Sequence, residues 1–328
     1  MRLGVLFEPN SAAFYRALEP MSAMERRGHE VLWADEEGRM PAGRLATCDV
    51  VHVYRCADDP TRRLLGELSR AGIAVTYDND DDFTGVPRES PDYPKVGGAK
   101  GRRIHAMTVE AARLARVFTT TTGVLADKYR ASGVERVEVI PNHVMHGVER
   151  PRSRHDGLVI GWVGGIDHRA DTARIPIADV LRRIVERHPD VRVECIGVDL
   201  ALGAAYRHDA FVPFLDLPAR IGGFDVGIAP LADLPGNRTR SDIKVKEYAA
   251  SGVPWLASPV GPYAALGEEQ GGRLVGDDGW FDALERIVTS RRDRRRLARK
   301  GRSWAKRQTT EAVAGRWEQV FREAAGAA

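Results

Sequence analysis

The chain has 328 residues, enough for roughly two domains that each bury a core of their own. Its 43% hydrophobic and 29% charged residues, with a mean hydropathy of -0.33, are typical of a folded globular protein and exclude a disordered or fibrous chain. The 49 Lys and Arg residues exceed the 46 Asp and Glu residues by only three charges, too few to predict a general affinity for nucleic acid or an anionic membrane.

The cysteines and the apolar stretches predict a cytoplasmic protein. Cys48, Cys56 and Cys195 show no CxxC spacing, so we predict a reducing compartment and no disulfide framework. The opening MRLGVLFEPN has an apolar run too short for a signal peptide and predicts a first strand. The long uncharged stretch at 248–267 contains three prolines, so we do not expect it to span a membrane.

Alternating strands and helices predict an α/β fold. In the first half, the apolar runs predict strands at 2–7, 30–34, 50–54, 73–77, 117–120 and 137–140, with helices at 11–27, 60–71, 102–115 and 123–132. Such an alternation predicts a parallel sheet that is covered on both faces and joined by right-handed crossovers. We therefore predict a Rossmann-like N-terminal domain at 1–150.

A polar, basic segment at 148–156 is the predicted interdomain linker. The alternation then resumes, with strands predicted at 158–163, 191–196, 226–229 and 254–257 and helices at 172–188, 242–251, 277–290 and 291–326, the last broken near Gly301. We predict a second Rossmann-like domain at 151–310 and a closing helix at 311–328. Two such domains leave a cleft where the carboxyl ends of both sheets meet, the usual ligand position in open α/β sheets.

The segment 237–258, NRTRSDIKVKEYAASGVPWLAS, carries the strongest signal for a binding site. Ser241 as the N-cap and Gly252 as the stop predict a short helix. One face of this helix then carries Lys244, Glu247, Tyr248 and Ser251. Its N-terminus, with Arg238, Arg240 and Lys244, offers N–H groups and cations to a diphosphate, and Glu247 can accept hydrogen bonds from ribose hydroxyls. The alternative is an ordinary surface helix with a Lys/Glu pair.

A second segment, IGWVGGIDHRAD at 160–171, ends a predicted strand at Gly164 and Gly165. Glycine lets the backbone approach a ligand closely, and the next helix adds a second N-terminal dipole. We expect His168 to contact a phosphate or a sugar hydroxyl and Asp171 to cap the helix. Such a turn alone is more often structural, so its significance comes from the pairing with 237–258.

Together these segments resemble the retaining glycosyltransferases of the GT-B fold, family 4 type, also called group 1 glycosyltransferases. The similarity includes RRGHEV at 26–31, VIPNHV at 139–144, FDVGIAPL at 224–231 and KEYAASGVPWLAS at 246–258. In that family the second glutamate of an E-x7-E motif holds the ribose of the donor, and Glu247 stands at that position. Thr239 stands where the family has its first glutamate, so the motif is incomplete here.

The resemblance implies transfer of a sugar from a nucleotide-diphosphate sugar to a hydroxyl of a small-molecule or glycan acceptor, with retention and with no metal or other cofactor. The donor would lie in the second domain and the acceptor mainly in the first, with the closing helix packed back on the first domain. His168, Arg240 and Lys244 would stabilise the leaving diphosphate. The other predicted donor contacts are Gly164, Gly165, Asp171, Arg238, Ser241, Ile243, Glu247 and Tyr248.

The acidic segment YDNDDDF at 77–83 directly follows a predicted strand, so we expect it at the cleft. The predicted acceptor contacts are Asn10, Asp80, Asp81, Asp82 and His105. An amino sugar or aminocyclitol would place its ammonium groups against the aspartates. Two alternatives stay open, which are a divalent cation held by oxygen ligands and a solvated loop whose side chains cap the next element.

Other functions have weaker signals. The sequence has no HExxH pair, GxSxG elbow or GxxxxGK[ST] loop, so we do not predict a zinc site, a serine hydrolase or a P-loop NTPase. We interpret the basic run at 291–307 as the solvated side of an amphipathic helix in preference to a nucleic-acid or peripheral membrane contact. The rivals to a glycosyltransferase are a nucleotide-sugar epimerase on the same fold and a noncatalytic nucleotide-sugar binding protein. The oligomeric state is not predictable from these patterns.

Overall fold

The computed structural model describes residues 1–153, 155–203 and 205–326, and it contains two parallel sheets of six strands each. The first sheet has strands β1 (Arg2–Phe7), β2 (Glu30–Leu32), β3 (Val50–Tyr54), β4 (Ala74–Asp78), β5 (Val117–Thr120) and β6 (Val137–Val139). The strand order is β2-β1-β3-β4-β5-β6. In register, Leu3 pairs with Val31 on one side and with Val50 on the other.

The second sheet repeats this arrangement. Its strands are β7 (Leu158–Gly164), β8 (Val191–Gly197), β9 (Tyr206–Asp209), β10 (Val226–Ala229), β11 (Trp255–Ala257) and β12 (Gly272–Leu274). The strand order is β12-β11-β10-β7-β8-β9, and all pairs are parallel. The predicted α/β fold of two Rossmann-like halves is therefore confirmed.

Helices cover both faces of the sheets. In the first half they are α1 (Glu19–Arg26), α2 (Ala42–Leu45), α3 (Asp59–Arg70), α4 (Tyr93–Val96), α5 (Gly98–Leu114) and α6 (Gly123–Ala131). In the second half they are α7 (Arg169–Thr172), α8 (Ile177–Arg187), α9 (Leu217–Ile221), α10 (Ile243–Ala250), α11 (Trp280–Thr289), α12 (Arg291–Ala305) and α13 (Thr310–Ala325). A π-helical turn, Phe14–Leu18, leads into α1.

The central strands are buried on both faces, as a helix-covered parallel sheet requires. Every residue of β3 (VVHVY) and of β4 (AVTYD) is buried. Their side chains alternate between two helix layers, so each strand contributes to a core on either side. This explains why the strands read as almost continuous apolar runs in the sequence.

The end of the chain differs from the prediction of one helix broken near Gly301. Gly301 lies inside α12, and the break falls at 306–309 instead. Gly301 packs closely against Gly271, since a Cβ atom on Gly271 would lie 2.5 Å from the Gly301 Cα. Gly301 therefore allows close packing inside α12 and does not form a turn. Helix α13 buries Trp317 and Phe321 in the core of the first sheet.

Two other predicted helices begin or divide differently, and two edge strands were not predicted. The helix predicted at 172–188 begins at Ile177, because Pro176 is its N-cap and α7 is a separate turn. The edge strands β9 and β12 were not expected, since YRHD carries little apolar signal and GRL has only three residues. The helix predicted at 11–27 is divided into the π-helical turn and α1, with Pro20 in the first turn of α1.

A fully buried ion pair links the π-helical turn to β4. Arg16 donates from Nε and Nη2 to the two carboxylate oxygens of Asp78, at 3.0 and 2.5 Å. Both side chains have 0% exposure. Arg16 Nη1 also donates to the carbonyl oxygen of Ile140 at 2.5 Å, and Thr119 donates to Asp78 at 2.5 Å. Asp78 thus has a structural role at the base of the acidic segment.

We expect Arg16→Met to lower the free energy of unfolding by about 3–5 kcal/mol, because it leaves the Asp78 charge buried without its partner. Chemical denaturation of the variant beside the unaltered protein measures this. The double variant Arg16→Met/Asp78→Leu removes both charges and should recover much of the loss. An Arg16→Met variant as stable as the parent would contradict the proposed structural role of the pair.

Candidate functional site

The carboxyl ends of the two sheets face each other across a cleft, and the loops after the strands meet there. Thr122, after β5, donates a hydrogen bond to the carbonyl oxygen of Thr239, after β10, at 3.1 Å. Gly85 and Gly236, from opposite domains, approach so closely that a Cβ on Gly85 would lie 2.7 Å from the Gly236 Cα. Because only glycine fits this contact, the sequence itself brings the two backbones together at the cleft.

A chain of polar contacts lies where β7 and β10 end, and the peptide bond between Asp167 and His168 closes it into a ring. We call it the cleft ring, and its members are Asp167, His168, Asp171, Asn237 and Arg240. His168 Nδ1 lies 2.5 Å from Asp171 Oδ2, and Asn237 donates to Asp171 Oδ1 at 2.7 Å. Arg240 Nε donates to Asn237 Oδ1 at 2.8 Å, and Arg240 also pairs with Asp167. The ring joins the Gly164–Gly165 turn to the segment before α10.

His168 is buried, with 2% exposure, and its Nε2 atom has no hydrogen-bond partner in the described residues. Burial lowers the pKa of His168, which favours the neutral imidazole. Since Asp171 Oδ2 is the acceptor at Nδ1, the proton lies on Nδ1 and Nε2 keeps a free lone pair. Asp171 is itself held by the N–H of Ala232 at 2.9 Å. The prediction that Asp171 caps a helix is wrong, because its carboxylate orients His168 instead.

Asp167 and Arg240 form the open side of the cleft ring. Burial alone would raise the pKa of Asp167, but Arg240 beside it lowers that pKa below its usual range. The two side chains are 30% and 32% exposed, so both reach the solvent of the cleft. The turn before them is tight, since a Cβ on Gly165 would lie 2.5 Å from Asp167 Oδ1. An anion that enters the cleft meets the Arg240 guanidinium at this turn.

Lys244 lies in the first turn of α10, next to the cleft ring, and is partly buried. Among the described residues the Lys244 ammonium has no hydrogen bond and no ion pair. The paired lysine of α10 is Lys246, which donates to the Asn142 carbonyl oxygen and pairs with Asp242. Burial lowers the pKa of Lys244 to about 8, and Asp167 opposes this shift. A partly desolvated ammonium at a helix N-terminus is poised to bind an anion.

Glu247 lies one turn further along α10 and is already paired. Arg150, from the linker, forms an ion pair with Glu247 Oε2. Tyr15, from the first domain, donates to Glu247 Oε1 at 3.2 Å. The Arg150 side chain is 10% exposed and its Nη2 atom has no partner in the described part of the chain. This cluster joins both domains and the linker at one carboxylate.

Two predicted donor residues, Ser241 and Tyr248, have other positions than expected. Ser241 is not the N-cap of α10, which is Asp242 without a side-chain cap; Ser241 Oγ instead accepts from Asn142 of the first domain at 3.2 Å. Tyr248 is fully buried, and its hydroxyl accepts from the Val163 N–H and donates to the Ile228 carbonyl oxygen. The Tyr248 side chain therefore joins two strands of the sheet and does not reach the cleft.

Three further residues, Ile243, Arg238 and Thr239, lie at or just before the start of α10. Ile243 is partly exposed in the first turn. Arg238 is exposed and pairs with Asp233 at 2.6 Å, on a groove of about 590 Å³ that Val124 of the first domain also lines. Thr239 is buried, and its hydroxyl donates to the carbonyl oxygen of Gly236 at 2.7 Å. Thr239 thus closes a backbone turn where the family motif has a glutamate.

The acidic segment carries its own cations. Arg55 donates to Asp80 at 2.6 Å and also pairs with Asp81. Arg55 has a φ of 61°, a left-handed conformation that is strained for a residue other than glycine. Lys128 lies 2.5 Å from Asp82 Oδ1, which also accepts from the Thr84 N–H. Because the carboxylates are paired internally, they leave little free negative charge for the ammonium groups of an acceptor.

Asp81 is the most accessible of the three aspartates, with a side-chain exposure of 49%. Burial of its carboxyl group raises its pKa, with Arg55 opposing that shift. Arg240 of the other domain lowers this pKa and Asp167 raises it, so both charges lie near the Asp81 carboxyl group. Asp81 is thus a half-exposed carboxylate in the neighbourhood of the cleft ring.

The other two predicted acceptor residues have mostly structural contacts. Asn10 Oδ1 accepts from the N–H groups of Ala12 and Ala13 and so shapes the turn after β1. Its Nδ2 atom has no partner in the described residues. His105 lies 3.0 Å from the Ser132 hydroxyl and stacks on Tyr129. These contacts hold His105 inside the first domain.

The sequence matches no protein-family model and no curated protein. Three solved structures are similar along almost their whole length. The sucrose-phosphate synthase of Thermosynechococcus elongatus is 14% identical with a TM-score of 0.66, and the match covers 100% of this chain and 99% of that one. HepE of Anabaena in complex with UDP is 13% identical with a TM-score of 0.69, covering 98% of this chain and 100% of that one. A putative UDP-N-acetylglucosamine 2-epimerase of Listeria monocytogenes is 12% identical with a TM-score of 0.61, covering 98% of this chain and 95% of that one.

The chain has the GT-B fold. The GT-B glycosyltransferases among these structures share both sheets and the cleft between them with this chain. At such low identity the similarity is one of fold. Among the described residues of this GT-B chain, no group of three His, Cys, Asp or Glu side chains is arranged to hold a metal ion. The part of the chain that the structure describes contains no helix with the length and apolar character needed to cross a bilayer.

Several residues at the GT-B cleft were not predicted from the sequence. Asp167 lies in the segment 160–171, beside the glycine turn, and Asn237 lies in the segment 237–258, before α10. Their polar side chains at these two positions could have indicated that they belong to the site. Arg55, Arg150 and Tyr15 gave no such signal, because their partners lie far away in the sequence. Tyr15 and Glu247, for example, are 232 residues apart.

Proposed function

We propose that this GT-B protein is a glycosyltransferase that moves a sugar from a nucleotide-diphosphate sugar to a hydroxyl acceptor, with retention at the anomeric carbon and without a metal ion. The observation that carries this proposal is the position of Arg240 and Lys244 at the N-terminus of α10, facing the cleft beside the Gly164–Gly165 turn. Two cations and a helix dipole suit a diphosphate that gains negative charge as the sugar leaves.

The donor diphosphate would lie between Arg240 and Lys244. Arg240 is held by Asn237 and Asp167, so its guanidinium is oriented before the ligand arrives. Preorganised cations stabilise a developing charge without paying for reorganisation at the moment of reaction. His168 Nε2, which has no partner among the described residues, would accept a hydrogen bond from a sugar hydroxyl at the buried side of the ring.

The donor ribose would bind Glu247, whose carboxylate oxygens now accept from Arg150 and Tyr15. Ribose hydroxyls and the Tyr15 hydroxyl are the same kind of donor, so the ribose would take the place of Tyr15 at Oε1. Arg150 would stay paired with the carboxylate. Its Nη2 atom, without a partner in the part of the chain that the structure describes, would add a further donor near the ligand.

The acceptor would approach from the first domain, near Asp81. Because Arg55 and Lys128 offset two of the three negative charges of Asp80, Asp81 and Asp82, a neutral polyhydroxyl acceptor fits better than one bearing several ammonium groups. Asp81, whose carboxyl group lies near Arg240 and Asp167, would accept a hydrogen bond from the attacking hydroxyl. The proton of that hydroxyl would pass to the departing phosphate, and the new glycosidic bond would form on the face that the phosphate leaves.

A nucleotide-sugar epimerase is the second candidate, because a putative epimerase shares the fold over 98% of this chain. The two functions differ in their need for an acceptor. An epimerase converts the donor alone, whereas a transferase releases the nucleoside diphosphate in proportion to a new glycoside.

The test is incubation of the purified protein with a panel of nucleotide sugars, with and without hydroxyl acceptors, followed by mass spectrometry and proton NMR. We expect nucleoside diphosphate and a glycoside whose anomeric configuration matches the donor. An epimerised donor formed without acceptor would favour the second candidate. Inversion at the anomeric carbon would overturn the retaining mechanism.

A further inference from the structure

Three aromatic rings meet between the two domains. Phe14, in the π-helical turn, stacks on Phe214 with ring centroids 4.1 Å apart and planes 12° from parallel. Tyr15 meets the same Phe214 ring edge-on, with centroids 5.0 Å apart. Phe214 lies in a 3-10 turn just before α9. This aromatic contact, which we call the interdomain stack, joins the loop after β1 to the loop after β9.

The rings of the interdomain stack do not belong to the cores of their domains. Phe14 and Phe214 are both partly exposed, and neither is a member of a hydrophobic core cluster of the described residues. The segment around Phe214 also exposes Phe211 and Leu215, at 79% and 62%. Apolar side chains displayed at the carboxyl edge of a sheet form a surface that can receive a planar, apolar group.

The interdomain stack lies at one end of the proposed donor site. Lys244 marks the diphosphate end of α10, and Glu247, one helical turn further, marks the ribose position. Tyr15 donates to Glu247 and packs on Phe214, so the stack begins where the ribose would end. In a nucleoside diphosphate the three parts follow in the order phosphate, ribose and base. The base therefore falls on the interdomain stack.

We propose that Phe214 is the platform on which the donor nucleobase stacks and that Phe14 covers the base from the other domain. This inference rests on the proposed function. The two rings now fill the space of a base, so binding requires them to part by about the thickness of one aromatic ring. The π-helical turn that carries Phe14 is a type of element often found at functional sites. Relative motion of the two domains supplies the opening.

The proposal separates recognition of the base from recognition of the diphosphate. Stacking on an aromatic ring suits every base, because every base has a π-face. Loss of a stacking ring should therefore weaken binding of any nucleoside diphosphate and leave a ligand without a base unaffected. Inorganic pyrophosphate is such a ligand, since it can bind Arg240 and Lys244 but has nothing to stack.

The experiment compares Phe214→Ala, Phe14→Ala and the control Phe281→Ala by calorimetry with a nucleoside diphosphate and with pyrophosphate. Phe281 is a partly exposed ring on α11, packed under the guanidinium of Arg183. We expect Phe214→Ala and Phe14→Ala each to weaken nucleoside-diphosphate binding about 5- to 150-fold. Pyrophosphate binding should not change, and Phe281→Ala should match the parent with both ligands.

Unchanged or tighter nucleotide binding by Phe214→Ala or Phe14→Ala would overturn the proposal, and tighter binding would mean that the ring is a plug. Equal losses for nucleotide and pyrophosphate would also overturn it, because the effect would then concern the whole site. The variant Phe214→Trp keeps a stacking face and should restore affinity. If the unaltered protein binds pyrophosphate but no nucleoside diphosphate, both this inference and the proposed function fail. If the unaltered protein, Phe214→Ala and Phe14→Ala all bind a nucleoside diphosphate with the same affinity, only this inference fails.

Discussion

We expect Arg240→Ala to weaken nucleoside-diphosphate binding about 10- to 100-fold, because a charge-assisted hydrogen bond to the phosphate is lost. Turnover should fall further, by about 100- to 1,000-fold, since the lost group acts on the charge that develops as the sugar leaves. The loss has a second cause. Without Arg240, the ionised Asp167 faces the phosphate with no cation beside it.

The double variant Asp167→Asn/Arg240→Ala separates these two causes. Removing the Asp167 charge should recover part of the binding that Arg240→Ala loses, and it should not recover turnover. Arg295, exposed on α12, gives a matched control, and Arg295→Ala should behave like the parent. Steady-state kinetics and calorimetry on the four proteins measure this. Arg240→Ala with normal affinity and turnover would exclude the cleft ring as the donor site.

We expect nucleoside-diphosphate affinity to be constant between pH 7 and pH 8 and to weaken above pH 8, where the Lys244 ammonium of the free protein loses its proton. The terminal phosphate of the ligand is already ionised there, because its second pKa lies near 6. The bound phosphate stabilises the ammonium and raises its pKa, so binding above pH 8 takes up a proton. Affinity should therefore fall by up to about tenfold per pH unit.

Calorimetry at pH 8.5 in two buffers of different ionisation enthalpy measures the proton uptake directly. The matched variant is Lys244→Arg, which keeps the positive charge throughout this range. Its affinity should show no break near pH 8 and its binding should take up no proton. A break that persists in Lys244→Arg would assign the titration to another group.

The apolar runs of the sequence contain most of the information about this fold. β10 was predicted at 226–229 and spans Val226–Ala229, and the helix predicted at 242–251 spans Ile243–Ala250. β10 is a central strand that is buried on both faces, and five consecutive residues of α10 are buried, so composition and flanking glycines mark both elements well. The edge strand β9 is half-exposed, so its residues need not be apolar and the sequence shows no apolar run that would predict a strand there.

The candidate site was less predictable, because it depends on contacts between distant segments. The motif placed Lys244 and Glu247 correctly on α10, since local spacing determines which residues share a helix face. It did not reveal that Glu247 pairs with Arg150, 97 residues away. The acidic segment is the clearest case. Its charges suggested a cationic ligand, but Arg55, in a strained conformation at the end of β3, pairs with both Asp80 and Asp81.

The same reasoning explains Ser241 and Tyr248. Ser241 is of a residue type that often forms an N-cap, but its hydroxyl accepts a hydrogen bond from the Asn142 side chain in the other domain instead. Tyr248 follows Glu247 on α10, but its ring turns to the sheet and its hydroxyl bridges β7 and β10. In both cases a tertiary partner decided the direction of the side chain, and local propensity could not indicate that partner.

The most direct test of the donor site is the affinity of UDP, GDP, ADP, CMP and dTDP for the unaltered protein, for Lys244→Ala and Glu247→Gln, and for the exposed control Lys306→Ala. We predict that the unaltered protein and Lys306→Ala bind at least one nucleoside diphosphate with equal affinity. Lys244→Ala and Glu247→Gln should each bind it at least tenfold more weakly. Binding that is equal in all four proteins, or no nucleotide binding by the unaltered protein, would contradict a donor site at the start of α10.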